Sequence, residues 1–237
     1  LFGQELEDKY VNSGYSYNLY KRLLRQKYPG QQILLRRFVS DAYDFQQIEQ
    51  MYEEKDPDQP MFLFNVTMQN HSGYSQGWNN LSGDVTVTGG AKPSSITTQY
   101  FSLMKESDQA IQALVEHYSQ VEEKTLIVFF GDHQPPLGNT FFETLYGKKL
   151  DERDPEEVQQ AYETPFFIWA NYDIPEQDDL RISSNYLGVL AAEVAGLPLT
   201  GYQQLLSRLM DVLPVAGTAG YLTADGQVTQ EAEELPG

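Results

Sequence analysis

Leu126-Ile127-Val128-Phe129-Phe130-Gly131-Asp132-His133 is the stretch that decides how this chain is read. Its first five residues are apolar, β-branched or aromatic, and polar residues flank them. The run reads as a buried strand of a parallel sheet. In open α/β sheets ligands bind just past the carboxyl ends of the strands. Asp132 and His133 therefore stand where a metal or phosphate site belongs. Adjacent residues on a straight strand point to opposite faces. For both to serve one site the chain must already have left the strand, and Gly131 permits such a bend.

Working outward, the same strand-then-polar pattern recurs. Met61 to Thr67 is a second strand candidate, followed by Met68-Gln69-Asn70-His71-Ser72. Pro165 to Ala170 is a third, followed by Asn171-Tyr172-Asp173. Two of the 3 histidines, His71 and His133, thus follow strand ends, and His117 falls in a helical stretch.

Helices are expected between these strands. One runs from about Ala42 to Glu54, with Asp41 as its N-cap. The clearest runs from Ser95 to Tyr118, with Tyr100, Met104, Ile111, Val115 and Tyr118 on one face. Asp108 lies on that stripe and is read as partly buried and hydrogen-bonded. Asn139 to Tyr146 is a short helix, and Lys148 to Glu163 a charged surface segment. Ser184 caps a helix that Gly196 and Pro198 stop, and Thr200 opens another to about Val212. Residues 73–93, rich in Gly, Asn and Ser, form a long irregular loop. Tyr221-Leu222-Thr223 and Gln227-Val228-Thr229 flank Asp225-Gly226 as a hairpin. The alternation of strands and helices argues for an α/β fold with an at least partly parallel sheet. Residues 1–214 form the main domain, and 215–237 a hairpin with an acidic tail.

Composition excludes several functions. The 237 residues suffice for one α/β domain with a sizeable core. Lys and Arg total 16 against 34 Asp and Glu, a net charge of −18. Such a surface repels nucleic acid. It repels an anionic substrate too, unless a cation or local arginines reverse the sign in the cleft. The absence of cysteine removes disulfides, thiolate metal sites and thiol catalysis, and fits an exported bacterial protein. No stretch approaches the roughly 18 apolar residues of a membrane span. No signal peptide is visible, and a chain opening on Leu1 reads as a mature product or an excised piece.

A carboxylate next to an imidazole suits Mn²⁺, Zn²⁺ or Fe better than an all-oxygen site. By itself the pair Asp132-His133 also fits a turn aspartate beside a surface histidine. His71 has the chemistry to bind phosphate or to protonate a leaving group, and equally fits a hydrogen-bonded structural histidine. Gly73-Tyr74-Ser75-Gln76-Gly77 matches G-x-S-x-G, and with Asp132 and His133 gives the chain order of an α/β-hydrolase triad. That reading fails, because a nucleophile elbow joins a strand directly to a helix, and several loop residues intervene here.

The segments from Phe64 to His71, from Phe130 to Pro135 and from Thr164 to Asp173 together resemble the lipoteichoic acid synthase family. Val39-Ser40-Asp41, Ser184 to Leu187 and Ala195 to Pro198 do so too. The family comprises sulfatase-like phosphoglycerol transferases of the alkaline phosphatase superfamily, and the resemblance covers about residues 36–214. It implies a three-layer α/β/α fold with a mainly parallel sheet, truncated here on its N-terminal side. It implies transfer of glycerol phosphate from a phosphatidylglycerol-type lipid head group to a glycerol phosphate polymer or glycolipid, through a phospho-threonine intermediate. It implies a divalent metal, usually Mn²⁺ with Mg²⁺ or Zn²⁺ as alternatives, held in part by Asp132 and His133. His71 maps onto the histidine that contacts the substrate phosphoryl group. The family's nucleophilic Thr and metal-binding Glu lie upstream of this chain, as does its membrane segment, so no nucleophile is assigned here. The expectation is half of a metal site, inactive alone, from a protein at the extracellular face of the cell membrane. A soluble sulfatase or phosphodiesterase of the same superfamily, or a non-catalytic cell-wall module, is the alternative.

Overall fold

The computed structural model describes residues 33–75, 77–88, 94–232 and 235. The polar, locally basic stretch before residue 33 lies outside them. The chain divides into two compact units. One takes in residues up to Val87 together with Pro93–Leu114, and the other Thr88–Lys92 together with Val115–Gly237.

The described part of the first unit opens with a hairpin. Strand β1 (Leu34–Leu35) pairs antiparallel with β2 (Phe38–Val39), and Arg36-Arg37 make the two-residue turn. Ile33, Leu34 and Leu35 are buried. Helix α1 (Asp41–Glu54) follows at once. Its N-cap is Ser40 rather than Asp41, with the Ser40 hydroxyl accepting from the Tyr43 amide at 3.3 Å. Asp41 is instead the first helical residue and is buried. Two cap-forming residues stand in succession, and a hydrogen bond from elsewhere in the chain decides between them.

Helix α2 (Ser95–Tyr118) begins where Ser94 and Thr97 exchange hydrogen bonds, each side chain accepting from the other's amide. Its buried face is Leu103, Ser107, Ala110, Leu114 and Tyr118. This face is rotated by about one residue from the expected stripe, so Asp108 is exposed and Met104 borders solvent. The helix carries two adjacent apolar stripes, and periodicity does not rank them.

Met61–Thr67 is not a strand in this structure. It runs without regular pairing among the described residues, and Phe62, Phe64 and Val66 are 92%, 69% and 66% exposed. A strand requires a neighbour, and composition does not supply one.

In the second unit, β3 (Leu126–Phe130) pairs with β4 (Phe166–Ala170), with Leu126 opposite Ala170 and Phe130 opposite Phe166. Their direction is antiparallel, as it is for every strand pair among the described residues. The intervening segment carries α3 (Asn139–Tyr146) and α4 (Pro155–Gln160). It leaves and returns at one end of the strand pair, whereas a parallel pair needs a crossover to the other end. The strands are half-buried rather than fully buried, with Phe129 stacked on Phe167 at 5.4 Å.

Asn171, just past β4, ties this pair to the end of α2. Its Oδ1 accepts from the Thr125 amide at 2.8 Å, and its Nδ2 donates to the carbonyls of Val121 and Glu123 at 2.8 and 2.9 Å. Helix α5 (Ser184–Val194) has Ser183, not Ser184, at its N-cap position. The Ser183 hydroxyl bonds both ways with Ala216 instead of capping, which fastens β5 (Val215–Gly217) to the helix start. Gly196, at φ 68°, ends α5, and a Thr200–Gln203 capping box opens α6 (Gly201–Val212). Strands β5, β6 (Gly220–Leu222) and β7 (Val228–Thr229) form an antiparallel sheet that includes the expected hairpin around Asp225-Gly226. None of the described helices is long and apolar enough to cross a membrane.

Candidate functional site

The residues singled out from the sequence fall into two groups, one in each unit. In the second unit β3 ends at Phe130 and the chain bends at Asp132 and His133. Gly131 stands at the root of that bend for a reason other than backbone freedom. A Cβ there would lie 3.0 Å from the Cβ of Thr164. The close approach lets Gly131 donate to the Pro165 carbonyl at 3.1 Å and accept from the Thr164 hydroxyl at 2.8 Å. The Gln134 side-chain amide donates to the Glu163 carbonyl and fastens the same two segments. The turn that carries the pair is thus stapled on both flanks.

His133 has a defined orientation. Its Nδ1 is 2.9 Å from the Gln134 carbonyl oxygen. A carbonyl only accepts, so Nδ1 carries a proton, and in the neutral ring the lone pair is then on Nε2. That Nε2 is 3.5 Å from Asp132 Oδ2, while Asp132 Oδ1 accepts from the His133 amide at 2.9 Å. Both side chains are mostly exposed, at 66% for His133 and 82% for Asp132. An imidazole fixed through Nδ1 to a backbone carbonyl, with Nε2 facing a carboxylate oxygen, is a donor set that fits a divalent cation. Among the described residues no group of 3 or more His, Cys, Asp or Glu converges, so the pair is a partial ligand set. A cleft of about 950 Å³ starts at Asp132 and is lined by Thr164, Phe166, Arg181, Leu187 and Val215 among others. Arg181 is engaged there by Glu163 at 2.6 Å and by Gln159 at 3.0 Å.

In the first unit His71 sits on a tightly held segment. The Gln69 side chain accepts from the Asp41 amide at 2.9 Å and donates to Ser107 Oγ at 3.0 Å. Ser107 in turn donates to Asp41 Oδ2 at 2.5 Å and accepts from Asn70 at 2.8 Å. Tyr74 donates to the Asn70 carbonyl at 2.6 Å. Burial raises the Asp41 carboxyl to about 6, against the opposing hydrogen bond from Ser107. The His71 ring lies 5.5 Å from the Phe38 ring, and the residue is exposed. Gly73 and Ser75 lie in an irregular segment with no strand-turn-helix elbow, which agrees with setting the G-x-S-x-G match aside.

Sequence reasoning gave no role to Gln69 or Ser107 and counted Arg36 only among the basic residues near the start of the chain that could replace the family's glycerol-phosphate-holding side chains, yet these three hold this segment. Gln69 lies within the motif stretch, and its place there was the available signal. Ser107, on a helix 38 residues away, gave none.

Two relatives and one solved structure are similar to this chain. A protein of Rhizobium meliloti (strain 1021), named for a proposed role in cyclic beta-1,2-glucan modification, is 28% identical over 180 residues, which is 73% of this chain and 28% of that protein. An uncharacterized protein of Haemophilus influenzae (strain ATCC 51907 / DSM 11121 / KW20 / Rd) is 27% identical over 141 residues, 59% of this chain and 24% of that protein. The chain thus spans about a quarter of the length of these curated relatives. The fold is shared with the Streptococcus pyogenes phosphoglycerol transferase GacH, solved in complex with sn-glycerol-1-phosphate. The TM-score is 0.55 at 23% identity, over 75% of this chain and 43% of that one. The Sulfatase family model matches residues 2–197, and the chain belongs to the sulfatase family.

Proposed function

We propose that this chain is the C-terminal part of the catalytic domain of a sulfatase-like phosphoglycerol transferase. The observation that carries the proposal is the His133–Asp132 geometry. A ring fixed through Nδ1 at the carboxyl end of a strand presents Nε2 beside a carboxylate, in a chain of the sulfatase family. The shared fold with a phosphoglycerol transferase supports the reaction class. The narrower likeness to lipoteichoic acid synthases, and the three-layer sheet completed by the rest of such a domain, belong to this proposal.

Asp132 and His133 would hold a divalent cation, Mn²⁺ in the first instance. Held there, such a cation would supply Lewis-acid chemistry and offset phosphoryl charge. Asp132 supplies a hard anionic oxygen, and the Gln134 carbonyl keeps the His133 tautomer with its lone pair on Nε2. His71 donates a ring N–H to a phosphoryl oxygen of the substrate, or a proton to the departing alkoxide. The donor is a phosphatidylglycerol-type head group at the extracellular face of the membrane. The nucleophilic Thr and the Glu ligand lie N-terminal to this chain in the parent protein, as does its membrane attachment. The acceptor is a cell-envelope polymer or glycolipid hydroxyl, and the glucan in the name of the Rhizobium relative widens that class to glycans.

The test is phosphodiester turnover of a phosphoglycerol donor analogue with Mn²⁺, in this chain and in the longer parent protein. Turnover is expected only in the longer protein, reduced about 100-fold or more by Asp132→Ala or His133→Ala. Turnover by this chain alone would overturn the assignment of the nucleophile. Release of free glycerol phosphate to water, unaffected by any acceptor, would favour the hydrolase reading that the family name itself supports.

A further inference from the structure

The β1–β2 turn holds a non-glycine residue in the left-handed region. Arg36 has φ 52°, a conformation that two-residue hairpin turns ordinarily give to Gly, Asn or Asp. The same residue is 3% exposed, although it carries a full charge. Its guanidinium is paired with no carboxylate among the described residues, in a chain with 34 acidic side chains. Instead, Arg36 Nη2 donates to two backbone carbonyls, those of Gln69 and His71, each at 2.6 Å. Its charge rests over the Phe38 ring at 5.3 Å and the Tyr74 ring at 5.4 Å. The Phe38 ring is also the one against which the His71 ring lies.

Backbone strain and a buried charge are two separate costs at one residue, and such costs persist where the surroundings over-determine them. What Arg36 supplies in return is directed at one target. It pins the carbonyls on either side of Asn70 and of His71's own amide, and it backs the aromatic ring that supports the His71 imidazole. Gln69, Asn70 and Tyr74 fix the rest of the segment, so Arg36 closes a cradle whose exposed member is His71.

We propose that Arg36 is a positioning residue, setting the backbone and ring orientation of His71. The inference rests on the phosphoryl-contacting role given to His71 above, and its test separates the two. In this chain, with ¹³C-labelled histidine, His71→Gln assigns the His71 ring signal. Arg36→Gly suits the turn and removes the side chain, while Arg36→Lys keeps the charge without the fork. Both are expected to shift the His71 ring signal and to leave those of His117 and His133 in place. In the longer parent protein, Arg36→Gly is expected to lower kcat about 100-fold with KM within about twofold, as misplacement of a reacting group does. Arg36→Lys recovers part of that loss. An unmoved His71 signal in a folded Arg36→Gly chain overturns the proposal. If that variant does not fold, an unmoved signal together with full kcat in Arg36→Lys overturns it equally. A shifted signal with turnover intact in His71→Ala leaves Arg36 as the positioning residue and removes the catalytic role of His71 instead.

Discussion

At the scale of single residues, Asp41 shows how far local reading reaches. Its neighbourhood announces a helix start, and the helix is there. The choice of Ser40 as cap follows from Ser107, which lies 66 residues away and takes the Asp41 carboxylate for itself. Burial raises this carboxyl from an ordinary 3.8 to about 6. Between these values the folded chain binds more protons than the unfolded one, so stability falls as pH rises through the window and is level above it. A shift of this size corresponds to about 3 kcal/mol. Asp41→Asn removes that slope. Urea midpoints at about pH 4 and pH 7 should therefore diverge less for the variant than for the parent chain, by up to about 3 kcal/mol. Equal divergence would show that Asp41 is ionised as readily folded as unfolded. Asp132 and His133 were legible for the opposite reason, since adjacent residues behind a short apolar run need nothing distant to be recognised. Arg36 was illegible because an arginine in a tight turn carries no turn signal, and its two acceptors lie more than thirty residues on.

At the scale of elements, helices were read more accurately than strands. A helix satisfies its own backbone, and its ends are marked by caps and glycines. Thr200 and Gly196 act as those signals suggest. A strand is defined by its partner. Leu126–Phe130 and Phe166–Ala170 were recognised, yet their antiparallel direction was not, because half-buried apolar strands look alike in either direction. The hairpin Leu34–Val39 was missed, since four strand residues around Arg36-Arg37 fall below any periodic signal. Asn171 is the element-level joint that the motif around it did not disclose. Asn171→Ala removes the acceptor of the Thr125 amide and the side-chain donor to the Val121 carbonyl, and leaves the Glu123 carbonyl with the Thr125 hydroxyl. The expected loss is roughly 2–4 kcal/mol, read as a lower thermal midpoint by circular dichroism. A midpoint unchanged within error would mean that water replaces all these bonds at no cost.

At the scale of the whole molecule, charge and exposed apolar surface oppose each other. A net charge of −18 keeps copies apart at low salt. Phe62, Leu63, Phe64 and Val66 are all exposed on a segment without regular pairing and present an apolar face to solvent. Such a face favours association once repulsion is screened, and the Debye length falls from about 30 Å at 0.01 M to about 3 Å at 1 M salt. Sedimentation velocity should therefore show this chain gaining mass as salt rises, and Phe64→Glu should suppress the gain. Association that weakens with salt would point to a charged contact instead.

The antiparallel direction of β3 and β4 has one more consequence. The excursion from Gly131 to Thr164 departs and comes back at a single point, where Gly131, Thr164 and Gln134 clasp it shut. Loop closure grows costlier only slowly with length. The body of the excursion is anchored once more, where the buried Gln159 donates to the Tyr221 carbonyl at 2.9 Å and accepts from Arg181 at 3.0 Å, while Asp132 and His133 sit at its root. A chimera made at residues 135 and 163 should therefore keep the β3–β4 register and the Asp132–His133 geometry, and should lose the fastening of Tyr221 and Arg181 that Gln159 provides.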